Sequence, residues 1–562
     1  MILRITIIMV ILPTLVFFAF TTGLRAQTPN IGGALEQSAP PPRETPAKPS
    51  ETLISLEEAP ETLEIPDGET LLIKVFRIEN SKEEDWRNLQ EMLAPLRFKE
   101  MTMADVMDAA NKVTLYHRDR GYITAKAYVP PQDATNGVLI IRVVFGEYGE
   151  IYVRNASAIR TSFLRGVFEK AKNDSPIVQR EKLERAMLIA RDMPGGGIPM
   201  VSIMSGEEPD TSDFIFEMGG SPRLGGYAIA NNQGSKYTSE HRVYGGVDVN
   251  SLLGFSDKFS ASYMTTDATD LKSYRFSYDF PLSHNGLRAE ASVARTDYEL
   301  GGAYSALGVT GSADIVEVGI RYPILKRPAE NIEFISKTAY RRMTDNIALG
   351  NMENPRNATV LTFQLKREAY GGFAGRGLYT KLTGGFDLGS LNITDIIQEV
   401  VDAAGADTSG MFTKFNLEAA AETGIVGNLS LGVASRFQKI LSGNNVDNTE
   451  QFFISGAGGV RAFTESVGFD NGFTLYSELK YTLPGAGGLN HSISLFTDTG
   501  RAWAEKGEYA LIDEFQLSDA GIGYSASCRR LFGAVHVAIP VSRNAEIGNP
   551  GTRVLWQAGI NW

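Results

Sequence analysis

From about residue 225 to the C-terminus, apolar and polar side chains alternate in short runs. Tyr274, Phe276, Tyr278 and Phe280 oppose Ser273, Arg275, Ser277 and Asp279; Leu361, Phe363 and Leu365 oppose Thr362, Gln364 and Lys366. Val535, Val537, Ile539 and Val541 likewise oppose Ala534, His536, Ala538 and Pro540. A period of two is that of a β-strand with one face in oil and the other in water. The chain ends on the same pattern, with Val554, Trp556, Ala558, Ile560 and Trp562 on one face and Leu555, Gln557, Gly559 and Asn561 on the other. One such strand would suit a soluble sandwich equally well, but its repetition predicts a membrane wall. No run in this half reaches the roughly 18 apolar residues of a membrane helix, so a crossing must be made by a closed barrel. At about 10 residues per strand plus turns and loops, residues 220–562 predict an all-β transmembrane barrel of about 16 antiparallel strands. A barrel that wide encloses an aqueous channel unless something fills it.

Upstream the texture changes to a small α+β unit that occurs twice. Residues 69–146 predict strands at Leu71 to Ile78, Ile123 to Val129 and Val138 to Phe145, with helices at Glu83 to Ala94 and Met103 to Arg120. Residues 147–219 repeat the order. Strands are expected at Tyr148 to Val153, Met200 to Met204 and Asp213 to Glu217, and helices at Ile159 to Lys172 and Arg180 to Asp192, the second closed by Met193-Pro194-Gly195.

The N-terminus predicts export. Arg4 precedes the apolar run Ile5 to Phe20, so residues 1–26 read as a secretory signal peptide cleaved after Ala26. Residues 27–68 hold a short helix-capable piece, Ile31 to Ser38, and then a proline-rich stretch from Pro40 to Pro49 that predicts an extended linker. The formal charge of -12 with no basic tract argues against a nucleic-acid partner. Cys528 is the only cysteine, so no intramolecular disulfide can form, and it reads as a wall or lumen residue. The 57 glycines, 29 phenylalanines and 21 tyrosines suit tight turns and aromatic girdles at two interfaces.

Specific motifs lie on this frame. Arg120-Gly121-Tyr122, Pro131-Gln132-Asp133 and Gly137-Val138-Leu139 resemble the first POTRA domain of the hemolysin secretion/activation family, the outer-membrane transporters of two-partner secretion. Leu183 through Pro194-Gly195 resembles the family's second POTRA domain, and Asn232-Gln233-Gly234-Ser235 its entry into the barrel. Inside the barrel region, Gly459-Val460-Arg461-Ala462-Phe463 and Phe496-Thr497-Asp498-Thr499-Gly500 match the superfamily's paired motifs. The resemblance implies that Arg461 and Asp498 pin a long sixth extracellular loop, around residues 452–472, to the inner wall. Alternation supports the inward direction, because Ile493, Leu495 and Thr497 share one face of the strand and leave Phe496 and Asp498 on the other. The family usually has glycine where this chain has Ala462; if that glycine adopts a conformation alanine resists, the tip must bend differently or carry strain. The resemblance also implies that Ile31 to Ser38 is a plug helix in the lumen, and that Trp562 is an insertion signal as well as an anchor.

No nucleophile motif, Walker sequence or metal-ligand cluster is found. The five histidines, His117, His241, His284, His491 and His536, are scattered, and neither metal nor cofactor is expected. The function implied is a non-enzymatic outer-membrane channel, with its POTRA domains in the periplasm of a Gram-negative-type bacterium. The implied partners are a secreted protein with an N-terminal secretion domain, the outer-membrane assembly machinery, and membrane lipid with lipopolysaccharide. Strand addition at Ile123 to Val129, or less favourably at Met200 to Met204, is the expected mode of partner recognition. An assembly factor of the same superfamily is the alternative, ahead of a passive porin or a barrel enzyme. Asn346 to Arg356 and Asp395 to Gly410 show nothing beyond polarity.

Overall fold

A computed structural model describes residues 30–39, 53–56 and 70–562, except 269, 457, 486, 510–511 and 543–549. The leader and the proline run lie outside the described residues. The first module carries β2 (Leu71–Ile73), β3 (Val75–Glu79), α2 (Trp86–Leu93), β4 (Lys99–Met101), α3 (Met103–Asp119), β5 (Lys126–Tyr128) and β6 (Val138–Val144). The expected strand from Leu71 to Ile78 is broken at Lys74, because its first half pairs with β4 and its second half runs parallel to β6. The β4 segment, Lys-Glu-Met, carries no strand pattern, and only its partner makes it a strand. Thr102 caps α3 through a reciprocal bond with Asp105, and Val106, Ala109, Ala110 and Val113 turn one stripe of the helix into the core.

In the second module, α4 (Thr161–Asp174) and α5 (Arg180–Arg191) cover a sheet ordered β1–β8–β9–β7, formed by Leu53–Leu56, Pro199–Ser205, Thr211–Met218 and Glu147–Asn155. Phe168 stacks on Phe216 at 3.7 Å in its core. β1 comes from the linker and runs parallel to β8, so Met200 to Met204 is flanked on both sides and is not a free edge. By contrast β5 is an edge strand, since its sheet is ordered β3–β6–β5. The modules are joined tightly: the Arg180 N–H donates to Gly121 O at 2.8 Å, and Ile123 packs into the second module's core.

Sixteen antiparallel strands close the barrel, from β10 (Leu224–Asn231) to β27 (Arg553–Asn561), with Tyr227 opposite Asn561. Trp562 extends the closing seam by exchanging main-chain bonds with Gly226, each at 3.0 Å. Val243, Phe276, Val318, Leu365, Leu495 and Ile539 face outward and exposed, as the hydrocarbon-facing side of a barrel requires. Leu555, on the opposite face of the last strand, is buried inside. The second module sits against turns at one end of the barrel. The Arg185 guanidinium donates to Pro323 O at 2.6 Å, Lys326 pairs with Asp192, and Arg160 lies 4.2 Å over the Phe255 ring.

The longest connection at the other end joins β20 (Leu429–Ile440) to β23 (Asn471–Thr482), and it folds into the lumen. It carries the short pair β21 (Phe452–Phe453) and β22 (Gly468–Phe469). Asp395 to Gly410, where the sequence shows nothing beyond polarity, contains the helix α6 (Ile396–Ala403), capped by the Asp395 carboxylate.

Candidate functional site

The tip of the inward loop packs before it pairs. Ile454, Val460, Ala462, Phe463 and Val467 form one apolar cluster with the inward-facing Phe496, Phe515, Leu517 and Ala538 of the wall. Gly459 permits the tight fold, because a Cβ there would fall 2.2 Å from the Ser455 Cα. Gly500 likewise leaves room for Ile454, whose Cγ1 would lie 2.7 Å from an added Cβ. Burying this surface presents Arg461 to β24 (Leu489–Trp503). Its Nε lies 3.0 Å from Asp498 Oδ2, and its guanidinium carbon sits 3.9 Å over the Phe496 ring. A third contact runs from Nη2 to Glu478 Oε2 at 3.5 Å.

Asp498 does not act alone. Its register partner on β25 (Glu514–Cys528) is Asp519, and both carboxylates are fully buried. Two facing carboxylates make the wall a receptor for positive charge, which Arg461 supplies as a cation and the Ala462 N–H as a dipole, donating to Asp519 Oδ2 at 2.6 Å. Ala462 has no left-handed backbone angle, so the expected strain is absent; among the described residues near the tip, Gly456 takes a left-handed angle, at φ +91°. Sequence reasoning missed Asp519. Its signal was an aspartate at an inward position of an alternating strand, like Asp498.

The start of the loop is held to the opposite wall. Arg356, on β17 (Met352–Phe373), is 1% exposed and lies 2.8 Å from Asp345 of β16 (Glu330–Ile347) and 2.7 Å from Asp447 of the loop. Glu450 is 2% exposed; it pairs with Arg341 of β16 and lies 2.9 Å from Lys414 of β19 (Gly410–Val426). None of these groups was singled out from sequence.

α1 (Ile31–Ser38) lies inside the barrel, between loop and wall. Asn30 caps it by accepting from the Gly33 N–H at 3.1 Å, and Ile31 and Ala34 pack with Tyr244, Leu271 and Tyr298. Gly32 lets the helix touch the loop, since a Cβ would fall 2.2 Å from Asn448 O. Glu36 accepts from the Gly458 N–H and the Ser466 hydroxyl, both at 2.8 Å. The Gln37 carbonyl accepts from Arg242 and from the Tyr244 hydroxyl, both at 2.9 Å. At its other end the Ile31 N–H reaches Asp345 at 3.3 Å. The helix thus shares partners with both ends of the loop.

The remaining sequence-selected residues lie away from this site. Gly121 and Gly137 take left-handed angles, at φ +94° and +83°, and Tyr122 packs its ring on Phe145 at 4.7 Å. Gln132, beside Pro131, both donates to and accepts from the main chain of Ile140 at 2.8 Å. Gly195, after Pro194, stands where a Cβ would meet the Ser251 Cβ at 2.7 Å, at the junction of module and barrel. They shape the modules and do not enter the lumen. Among the described residues no cluster suited to a metal ion is present.

The profile of the family described as haemolysin secretion/activation protein ShlB/FhaC/HecB matches residues 210–526, and that of the ShlB-type POTRA domain matches residues 71–146. The heme/hemopexin transporter protein HuxB of Haemophilus influenzae is 24% identical over 531 residues, covering 92% of this chain and 91% of that protein. Among solved structures, CdiB from Escherichia coli superposes with a TM-score of 0.70 at 18% identity, covering 95% of each chain. BamA from Haemophilus ducreyi lacking POTRA domains 1–3 gives 0.52 at 12% identity, over 87% of this chain and all of that one. With the profile spanning more than half of its length, the chain belongs to the ShlB/FhaC/HecB family of haemolysin secretion/activation proteins, outer-membrane transporters with POTRA modules in the periplasm.

Proposed function

We propose that this chain exports a partner protein through its own barrel, and that the inward loop and α1 together form the closure. The carrying observation is that the lumen is filled by two segments held through ion pairs and hydrogen bonds to a water-compatible wall. When the segments move, these contacts exchange for water, and the apolar clusters around Val460 and Ile31 are uncovered at a cost that keeps the resting channel shut. Arg461 is the cation of a loop-to-wall lock, with Asp498 and Asp519 as its receptor. Gly459, Val460, Ala462, Phe463, Phe496 and Gly500 shape that lock.

The partner meets the periplasmic modules first. The edge strand β5 is where an extended segment of its N-terminal secretion domain adds, displacing the bond that the Ala127 N–H makes to the Thr114 hydroxyl at 2.9 Å. No nucleotide site is expected, so folding of the partner outside the cell supplies direction. Trp562 and the seam it extends are the part read by the outer-membrane assembly machinery, after which lipid and lipopolysaccharide surround the barrel.

The test compares proteins in the medium and in the outer membrane of cells with and without this chain. Export predicts loss of one large medium protein with the barrel proteins unchanged. A general loss of barrel proteins would overturn the reading in favour of an assembly factor.

A further inference from the structure

The motif Asn232-Gln233-Gly234-Ser235 takes no part in the lock described above, yet its residues reach three separate segments of the chain. It lies in the turn that joins β10 to β11 (Arg242–Asn250), at the end of the barrel away from the modules. Gly234 keeps this turn tight, because a Cβ there would fall 2.3 Å from Ser239 O.

The plug and the loop both grip the turn from inside. The Gln37 side-chain oxygen accepts from the Ser235 N–H at 3.3 Å and from the Thr238 hydroxyl at 3.1 Å, while its Nε2 donates to the Ser466 hydroxyl of the loop at 3.2 Å. The two carboxylate oxygens of Glu465, also on the loop, accept from the Ser235 hydroxyl and from the Lys236 N–H, the latter at 3.1 Å. Ser235, Thr238 and Gln37 are all buried. Buried donors that lose their acceptors carry a penalty, so the turn is held in this shape by the two segments that fill the lumen.

The other side of the turn holds the barrel seam. Main-chain pairing of β10 with β27 stops at Asn231, opposite Gln557. Beyond that point Asn232 continues the pairing with its side chain: Nδ2 donates to Val554 O at 2.8 Å, and Oδ1 accepts from the Trp556 N–H at 2.7 Å. Its own N–H reaches Trp556 O at 3.3 Å, and Glu240 adds a partly exposed pair with Arg553 at 3.0 Å.

We infer that residues 232–238 are a coupling turn, with Asn232 and Glu465 as positioning residues, through which withdrawal of the plug and loop loosens the outer end of the barrel seam and widens the exit. The inference rests on the closure assigned above to α1 and the loop.

The test is amide exchange in the full chain in detergent micelles, with only its tryptophans isotope-labelled. The four tryptophans are Trp86 in the first module, Trp503 on β24, Trp556 at the Asn232 clamp, and Trp562 at the other end of the same seam, where its N–H bonds to Gly226 O. N232A is expected to speed exchange at Trp556 about tenfold, and Q37A and E465A about threefold each, with the other three tryptophans unchanged. Q37A added to N232A should bring no further rise at Trp556. If N232A acts while Q37A and E465A are silent, the turn holds the seam without sensing the plug, and the coupling is overturned. No effect of N232A, or an equal rise at Trp503 and Trp562, would overturn it as well. These signals need no exported protein, so a failure of the secretion assay would leave them unchanged and the two readings fall separately.

Discussion

The two ends of the inward loop are fastened to opposite walls by contacts of different kinds. At the tip, one arginine that keeps about a fifth of its side chain exposed meets two fully buried carboxylates, and an apolar cluster supports it. At the start, Arg356 is itself buried between carboxylates from wall and loop, next to the Glu450 cluster. A buried group left without its counter-charge costs about 3–5 kcal/mol, more than an exposed pair contributes. Both ends are therefore strong when intact and sensitive to loss of one partner. The tip adds the stacking of Arg461 on Phe496 and the Ala462 N–H, and so has more to lose.

The largest effect is expected at the tip. R461A leaves Asp498 and Asp519 facing each other without a cation, and partner secretion should fall to near background while the barrel still inserts and resists unfolding in detergent gels. Normal export by a normally inserted R461A barrel would remove the lock from the mechanism. D519N tests the second carboxylate: it keeps an acceptor for the Ala462 N–H but loses the charge, and a partial secretion loss is expected.

The barrel and the tip were legible in sequence for physical reasons. Wall strands alternate because oil and water demand it, and Gly459, Arg461 and Asp498 stand in motifs that pair. The start of the loop was not legible. Arg356, Asp345 and Asp447 look like ordinary polar residues near strand ends, and their burial arises only when two strands and a loop converge. β1 escaped for a similar reason, since a four-residue segment among prolines becomes a strand only by pairing with β8. α6 escaped as well: Asp395 to Gly410 reads as polar, and the helical spacing of Ile396, Ile397, Val400 and Val401 was passed over.

A smaller effect is expected at the start of the loop. R356Q strands Asp345 and Asp447 but leaves the Glu450 cluster in place, so secretion should fall severalfold and not vanish. Ion conductance of the purified barrel in planar bilayers should rise, because Asp345 also receives the Ile31 N–H of α1. If the two ends act as one latch through α1, R356Q combined with R461A will cost less than the sum of the two, as coupled sites do. Strict additivity would mean that the ends release independently.

Weaker still is the plug itself. E36A removes two hydrogen bonds to the loop, at Gly458 and Ser466, each worth about 1 kcal/mol. Brief openings in single-channel recordings should become more frequent while secretion stays near normal. Conductance unchanged by E36A would place the closure in the loop alone.

The smallest expected effect contrasts these paired charges with a buried titratable group that has none. His117 in α3 is fully buried between the rings of Tyr116 and Phe145, and neither ring nitrogen has a hydrogen-bond partner among the described residues. Burial lowers its pKa below the usual 6.5; Asp85 opposes the shift and Arg120 assists it. The unfolded module therefore binds a proton that the folded module refuses, so stability is retained above pH 6.5 and declines as pH falls through it toward the folded value. In the full-length protein, amide exchange in residues 103–119 should quicken at pH 5.5 relative to 7.5, beyond the intrinsic pH dependence of exchange. H117F should remove the excess. At the start of the loop Arg356 and Glu450 carry their counter-charges with them, so no comparable acid loosening of the amides there is expected over this range. Equal loosening at both places would mean that compensated burial offers the barrel no protection that the module lacks.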